Sequence, residues 1–216
     1  MRGRLLAAAA AAALALGLLA GCGGSSGDSA DAGTVAATHH HAGTSGEAFK
    51  GGLITPRRQA PALDLDNIYG ENVNIRELRG RPVLVTFVYA HCPDVCPLIM
   101  SSLRQVREDS GELGKRMRVV AVSVDPTGDT PAVVRRFLKA RRVEGFVDYL
   151  VGTRAQLAPV WARWQVGQQV DTANPELVEH SALIYGVTAS GELATAYPVG
   201  FDPKQIAQDL PLLAES

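Results

Sequence analysis

Val83-Leu84-Val85-Thr86-Phe87-Val88-Tyr89-Ala90-His91-Cys92-Pro93-Asp94-Val95-Cys96-Pro97 is the stretch that decides the fold of this chain. Val83 to Tyr89 is nearly continuously apolar and β-prone, which fits a strand buried on both faces, as in a parallel sheet. The strand delivers two cysteines, four positions apart, to the point where a helix is expected to begin. If both lie on the first helical turn, four rises of about 1.5 Å set their Cα atoms about 6 Å apart. That separation suits a disulfide, whose Cα–Cα distance is about 4.4–6.8 Å. It equally suits two thiolates converging on one metal ion. A thiolate at a helix N-terminus is stabilised by the amide groups and dipole there, and Cys92 is nearest that position. Pro93 and Pro97 stiffen the loop, and Pro97 lacks an N–H that a helix start would leave unsatisfied. Asp94 works the other way, because a carboxylate beside a thiol disfavours a second negative charge. A bound cation reverses that penalty; as a plain helix cap, Asp94 carries no such meaning.

Upstream, Leu63-Asp64-Leu65-Asp66 alternates, Tyr69-Gly70-Glu71-Asn72 turns and Val73-Asn74-Ile75 returns, an N-terminal hairpin. Downstream, a helix is expected from Leu98 to about Ser110 and a second buried strand over Arg118 to Val124. Asp129-Thr130-Pro131 opens another helix through about Ala140, with a capping side chain and a proline in its first turn. Phe146 to Val151 reads as a short strand and Arg154 to Trp164 as a helix. Ser181 to Tyr185 and Glu192 to Tyr197 form a second hairpin, followed by a helix from Pro203 to about Leu213. Strands alternating with helices imply an α/β fold with a central mixed sheet flanked by helices. With a dithiol at the first strand–helix junction, the layout resembles the thioredoxin fold.

In such a sheet the loop before the late strand faces the dithiol. That loop contains Glu179-His180-Ser181, so His180 is placed to complete a site of two thiolates and one imidazole. A histidine satisfied by a backbone carbonyl at a strand start is the other reading. Two thiolates with an imidazole form a soft set suited to Cu(I), and able to take Cu(II) or Zn(II). His91, beside Cys92, is a competing ligand or a source of positive charge. A metal between the sulfurs holds them about 4 Å or more apart. A disulfide holds them about 2.05 Å apart. Metallation and oxidation therefore exclude each other.

The N-terminus places the chain. Arg2 and Arg4 precede the Ala/Leu-rich run Leu5 to Ala20, which ends in Leu19-Ala20-Gly21-Cys22. Residues 1–21 read as a signal peptide, too short and wrongly flanked for a membrane span. The cysteine at the cut resembles the bacterial lipobox, in which Cys22 is acylated; an ordinary signal peptide with an incidental cysteine is the other reading. Residues 22–48 are Gly/Ser/Ala/Thr-rich and read as a flexible, lipid-anchored linker. Its tract His39-His40-His41 either catches metal loosely or is an incidental polar run. The folded domain is expected over 49–216. The chain is thus expected outside the cytoplasm, held to the cell membrane by lipid. An oxidising compartment favours a structural disulfide for the remaining cysteine pair. Yet a bridge over three residues removes little loop entropy, and a domain of this size buries enough surface without one. With 21 Lys+Arg against 22 Asp+Glu and no basic block, the chain shows no nucleic-acid footprint.

Three motifs in order are specific together: Thr86 to Tyr89 running into Cys92-Pro93-Asp94-Val95-Cys96-Pro97, then Ser123-Val124-Asp125-Pro126 with Asp129-Thr130-Pro131, then His180-Ser181. From about Pro61 to Leu213 the chain is similar to the Sco/SenC family. The resemblance implies a membrane-tethered, thioredoxin-like copper protein that helps assemble the dinuclear copper centre of cytochrome c oxidase subunit II, with another protein as copper donor. It implies Cys92, Cys96 and His180 as the copper ligands, with Asp125 and Asp129 on the same face or serving as turn and cap. The chain departs from the family pattern at His91, where a small residue is expected, in the non-acidic turn Gly186 to Gly191, and in its lipobox. The competing function is a thiol–disulfide oxidoreductase that keeps the oxidase cysteines reduced, Cys92 attacking and Cys96 resolving. Thioredoxin-type sites usually place two residues between the cysteines and a proline before the late strand. This chain has three residues there, and Glu179-His180 at the later place.

Overall fold

The decisive stretch is a strand, a loop and a helix start, as expected, and it lies at the centre of the sheet. The computed structural model describes residues 48–167, 169–170, 178–179 and 182–216. In chain order the strands are β1 (Gly52–Gln59), β2 (Asp64–Asn67), β3 (Asn72–Asn74), β4 (Val83–Val88), β5 (Arg118–Ser123), β6 (Val147–Val151), β7 (Gln169–Val170), β8 (Val178–Glu179), β9 (Leu183–Val187) and β10 (Glu192–Pro198). The helices are α1 (Val95–Asp109), α2 (Gly111–Arg116), α3 (Pro131–Arg141), α4 (Arg154–Arg163) and α5 (Pro203–Glu215).

Eight strands form one sheet in the order β1-β10-β9-β4-β5-β6-β2-β3. β4, β5 and β6 run parallel, and every residue of β4 is buried, so both faces of that strand are covered. β9 runs antiparallel to β4, with Thr86 opposite Ile184. The N-terminal hairpin is β2–β3, joined to the sheet through β6. This is the mixed, helix-flanked α/β architecture of the thioredoxin-like fold.

Periodicity explains how the helices seat. α1 buries Cys96, Ile99, Met100, Leu103 and Val106, a three-to-four spacing that turns one stripe inward, and it packs against α5. α3 is capped by Thr130, whose Oγ1 accepts the N–H of Val133 at 3.4 Å, with Pro131 following. Trp161 at the end of α4 donates Nε1–H to the carbonyl of Ser123 at 2.9 Å, tying that helix to the end of β5. Trp164 lies against Phe87 and Tyr185, with ring centroids 5.7 and 5.4 Å apart.

Among the elements that differ from the sequence expectation are β1 and α2. β1 carries no strand signal, because its residues are mostly exposed and it contains Pro56; an edge strand tolerates both. α2 follows α1 without a long loop, because Gly114 lets the backbones approach: a Cβ there would sit 2.2 Å from the carbonyl oxygen of Arg107. The start of the domain is fastened by Asp209 of α5, a buried carboxylate that accepts the N–H groups of Lys50 and Gly51 and the Tyr197 hydroxyl at 2.8–3.0 Å. One contiguous hydrophobic core runs through the described residues, and Ser45–Ser216 is a compact unit in its own right. No helix among the described residues is long and apolar enough to cross a membrane.

Candidate metal centre

The structure corrects the placement of the two cysteines. α1 begins at Val95, three residues before the expected Leu98, so Cys96 lies in its first turn while Cys92 stands in the loop before it. Asp94 occupies the N-cap position, yet its side chain makes no capping hydrogen bond. Cys92 caps the helix in its place, with Sγ accepting the N–H of Cys96 at 3.3 Å. The loop is closed from the other side by the N–H of Cys92, which donates to the Tyr89 carbonyl at 3.2 Å. Cys92 is 7% exposed and Cys96 fully buried, and no disulfide joins them.

This arrangement splits the two thiols electrostatically. The Cys96 side chain hydrogen-bonds to Cys92 and holds its pKa down, from an ordinary 9.0 to about 6; burial opposes the shift. The N–H groups of Cys96 and Asp94 and the Tyr89 side chain assist. Cys96 moves in the other direction, far above the ordinary thiol value, because it holds the shared proton and is buried. At neutral pH the pair is thus one thiolate and one thiol, close together and nearly out of water. A thiolate of this kind is both a nucleophile and a soft metal ligand.

The loop carrying Cys92 is held from below by Asp129. The family resemblance leaves Asp129 either on the dithiol face or as a turn and cap residue; Thr130 caps α3, and the Asp129 carboxylate turns inward. It accepts the N–H of Ala90 at 2.8 Å, the Ser123 hydroxyl at 2.6 Å and the Tyr149 hydroxyl at 2.8 Å. Burial pushes its pKa up, and these three hydrogen bonds resist that shift. Asp125 closes its own loop by accepting the N–H groups of Thr127 and Gly128 at 3.2 and 2.8 Å. Gly128 is required by close approach: a Cβ there would meet the Asp125 carboxylate at 2.1 Å and His91 Nδ1 at 3.2 Å. His91 therefore lies beside the Asp125–Gly128 loop. Among the described residues no group of three His, Cys, Asp or Glu side chains is placed to hold a metal. Sequence alone does not mark Tyr149 as a support of the cysteine loop; for Asp129 the signals are its position one residue before a Thr-Pro helix start and its place in the family motif.

His180 and Ser181 lie outside the described residues, as do Cys22 and His39 to His41. The strand that His180 precedes is described. β9 starts at Leu183, whose carbonyl accepts the Thr86 hydroxyl at 2.9 Å, and its first residues stand at the dithiol end of β4.

A family model described as SCO1/SenC matches residues 55–215. The SCO2-like protein of Rickettsia felis is 28% identical over 145 residues, which cover 65% of this chain and 70% of the relative. The copper-bound structure of Bradyrhizobium japonicum ScoI superposes with a TM-score of 0.63 at 29% identity, covering 72% of this chain and 98% of that one. Apo Sco1 of Thermus thermophilus gives a TM-score of 0.61 at 26% identity, over 78% of this chain and 95% of that one.

Proposed function

The chain belongs to the SCO1/SenC family, and from that premise we propose that it is an extracytoplasmic copper carrier. Copper is its cargo, held by Cys92 and Cys96 with His180 as the third ligand, and the thiolate pair favours Cu(I). The acceptor is the dinuclear copper centre in subunit II of cytochrome c oxidase, and another copper protein is the donor. Residues 1–21 are the signal peptide, acylated Cys22 is the anchor, and residues 22–48 are the tether to the copper-binding domain at 49–216.

The observation that supports this most directly is the thiol pair itself. Cys92 is already a thiolate at neutral pH, so a cation entering the site displaces a single proton, the one held by Cys96. The ordering of the loop by Asp129 and by the Cys92–Cys96 hydrogen bond reduces what must be arranged when metal arrives. Leu98, 54% exposed and two residues past Cys96, offers an apolar contact for a partner exchanging thiolate ligands with the site.

The test is an anaerobic Cu(I) titration of the reduced chain beginning at Ser45, against a competing chelator. Tight one-to-one binding is expected, weakened at least about 100-fold in Cys92→Ser or Cys96→Ser and at least about 10-fold in His180→Ala. A His180→Ala protein that binds as tightly as wild type would sink the three-ligand reading. The same low Cys92 pKa favours a second reading, in which the Cys92 thiolate attacks a disulfide in the oxidase subunit. A mixed disulfide forms and one partner thiolate leaves; Cys96 then displaces the other, giving a Cys92–Cys96 disulfide and a reduced partner. Weak copper binding indifferent to His180 would put this reading first.

A further inference from the structure

The parallel strands have two ends. The dithiol stands where β4 finishes; the opposite end, where β4, β5 and β6 begin, opens into a cleft of about 680 Å³. Arg81, Arg107, Lys115, Arg116 and Arg118 line it, contributed by the approach to β4, by α1, by α2 and by β5. Its carboxylates are Glu71 and Asp148, and of its cations Arg118 and Lys115 are already paired, Lys115 with Glu112 at 2.5 Å. Asp148 is paired with Arg118, and Glu71 accepts from the Asn67 side chain at 3.0 Å. Arg81 and Arg116 are exposed and make no ion pair with any described residue. A chain of formal net charge −1 therefore concentrates positive charge at one pole. At the margin of that cleft Tyr69 is 57% exposed, an aromatic of the kind that settles at the headgroup level of a bilayer.

We propose that this cleft docks on the phosphate headgroups of an anionic membrane surface. The setting rests on the lipid-anchor reading above. A Gly/Ser/Ala/Thr-rich tether as long as residues 22–48 would have a typical reach of about 30 Å, which would keep the domain at millimolar effective concentration beside the bilayer. Even a weak surface is then occupied. The tether does not by itself choose an orientation: it joins β1 at its Gly52 end, toward the dithiol, and β1 runs away from there. The cationic cleft makes the choice. With this pole on the lipid, the dithiol faces the aqueous side, about 17 Å further out along β4 alone, where a partner can reach it.

The experiment is co-sedimentation of the chain beginning at Ser45 with vesicles of phosphatidylglycerol and phosphatidylcholine, against phosphatidylcholine alone, from about 50 to about 500 mM salt. Wild type should favour the anionic vesicles at least about 10-fold at low salt and lose the preference at high salt. Arg81→Glu/Arg116→Glu should abolish it, Arg81→Gln/Arg116→Gln should reduce it, and Arg135→Glu/Arg136→Glu, equal in charge but on α3, should retain it. Equal binding to both vesicle types, or equal loss in the α3 variant, overturns docking at the cleft. Capture of polyglutamate without capture of anionic vesicles also overturns it and points to an acidic protein instead. The Arg81→Glu/Arg116→Glu protein should titrate with Cu(I) as wild type does, so failure of the copper reading and failure of the docking reading are separately visible.

Discussion

Asp129 and Asp209 are the same device in two places. Each is a buried carboxylate satisfied by a tyrosine hydroxyl and further donors: Tyr149, Ser123 and the Ala90 N–H for one, Tyr197 and the Lys50 and Gly51 N–H groups for the other. They differ in what the fastened backbone carries. Ala90 lies two residues before Cys92, whereas Lys50 and Gly51 only lead the chain into β1. Identical chemistry therefore serves the thiol site in one case and the anchoring of a terminus in the other. Position in the sheet, at the end of β4 or at its margin, decides which.

The sharpest way to break this comparison is to truncate both. Asp129→Ala and Asp209→Ala each leave buried donors without an acceptor and should cost about 3 kcal/mol in urea unfolding. Only Asp129→Ala should also weaken Cu(I) binding, by about 10-fold or more, with Asp209→Ala within about 3-fold of wild type. Equal losses of copper affinity would show that Asp129 supports the fold and not the loop.

A smaller effect follows from the split thiols. Cys92 has a depressed pKa in the folded chain, so the stability it lends is complete above the unfolded thiol value and is lost as pH falls through about 6. Cys96 is raised, so its contribution is present below the unfolded thiol value and is lost as pH rises beyond it. The reduced domain should therefore gain stability from about pH 6 toward 9, by up to about 1 kcal/mol per pH unit relative to Cys92→Ser, and lose it above. Urea midpoints of the two proteins across that range measure it. A flat difference would mean that Cys92 is not a thiolate near neutrality.

The smallest contrast concerns the helix starts. Thr130→Ala removes a cap that is made and should cost about 1 kcal/mol. Asp94→Ala removes a residue that makes no cap bond and should cost less than about 0.5 kcal/mol. Thermal unfolding of the two variants decides between a sulfur-capped and a carboxylate-capped α1.

Strong local patterns explain what the sequence discloses. Val83 to Val88 and Arg118 to Ser123 are nearly uninterrupted apolar runs, and Pro131 and Pro203 mark helix starts, so the sheet centre and the helices are readable. The dithiol is readable because its spacing is local. What escapes depends on residues brought together from far apart. Asp129 reaches Ala90 across 39 positions and Tyr149 across 20, and nothing in its neighbourhood marks it as inward-facing. The start of α1 reads late because Pro97 resembles the first helical residue, while the group that accepts the helix amide is a sulfur. β1 escapes because an exposed margin strand has no hydrophobic rhythm.

That margin strand also guards against self-association. Among the described residues β1 pairs only with β10, so its far side is where a stray chain could add a strand, and the proposed lipid anchor would crowd many copies into one plane. Pro56 removes an amide from the strand, Arg57 and Arg58 bring like charges, and the pairing slips between Leu53 and Arg58. Another copy approaching edge-on meets a broken, repelling template, so the sheet can stay open without seeding fibrils.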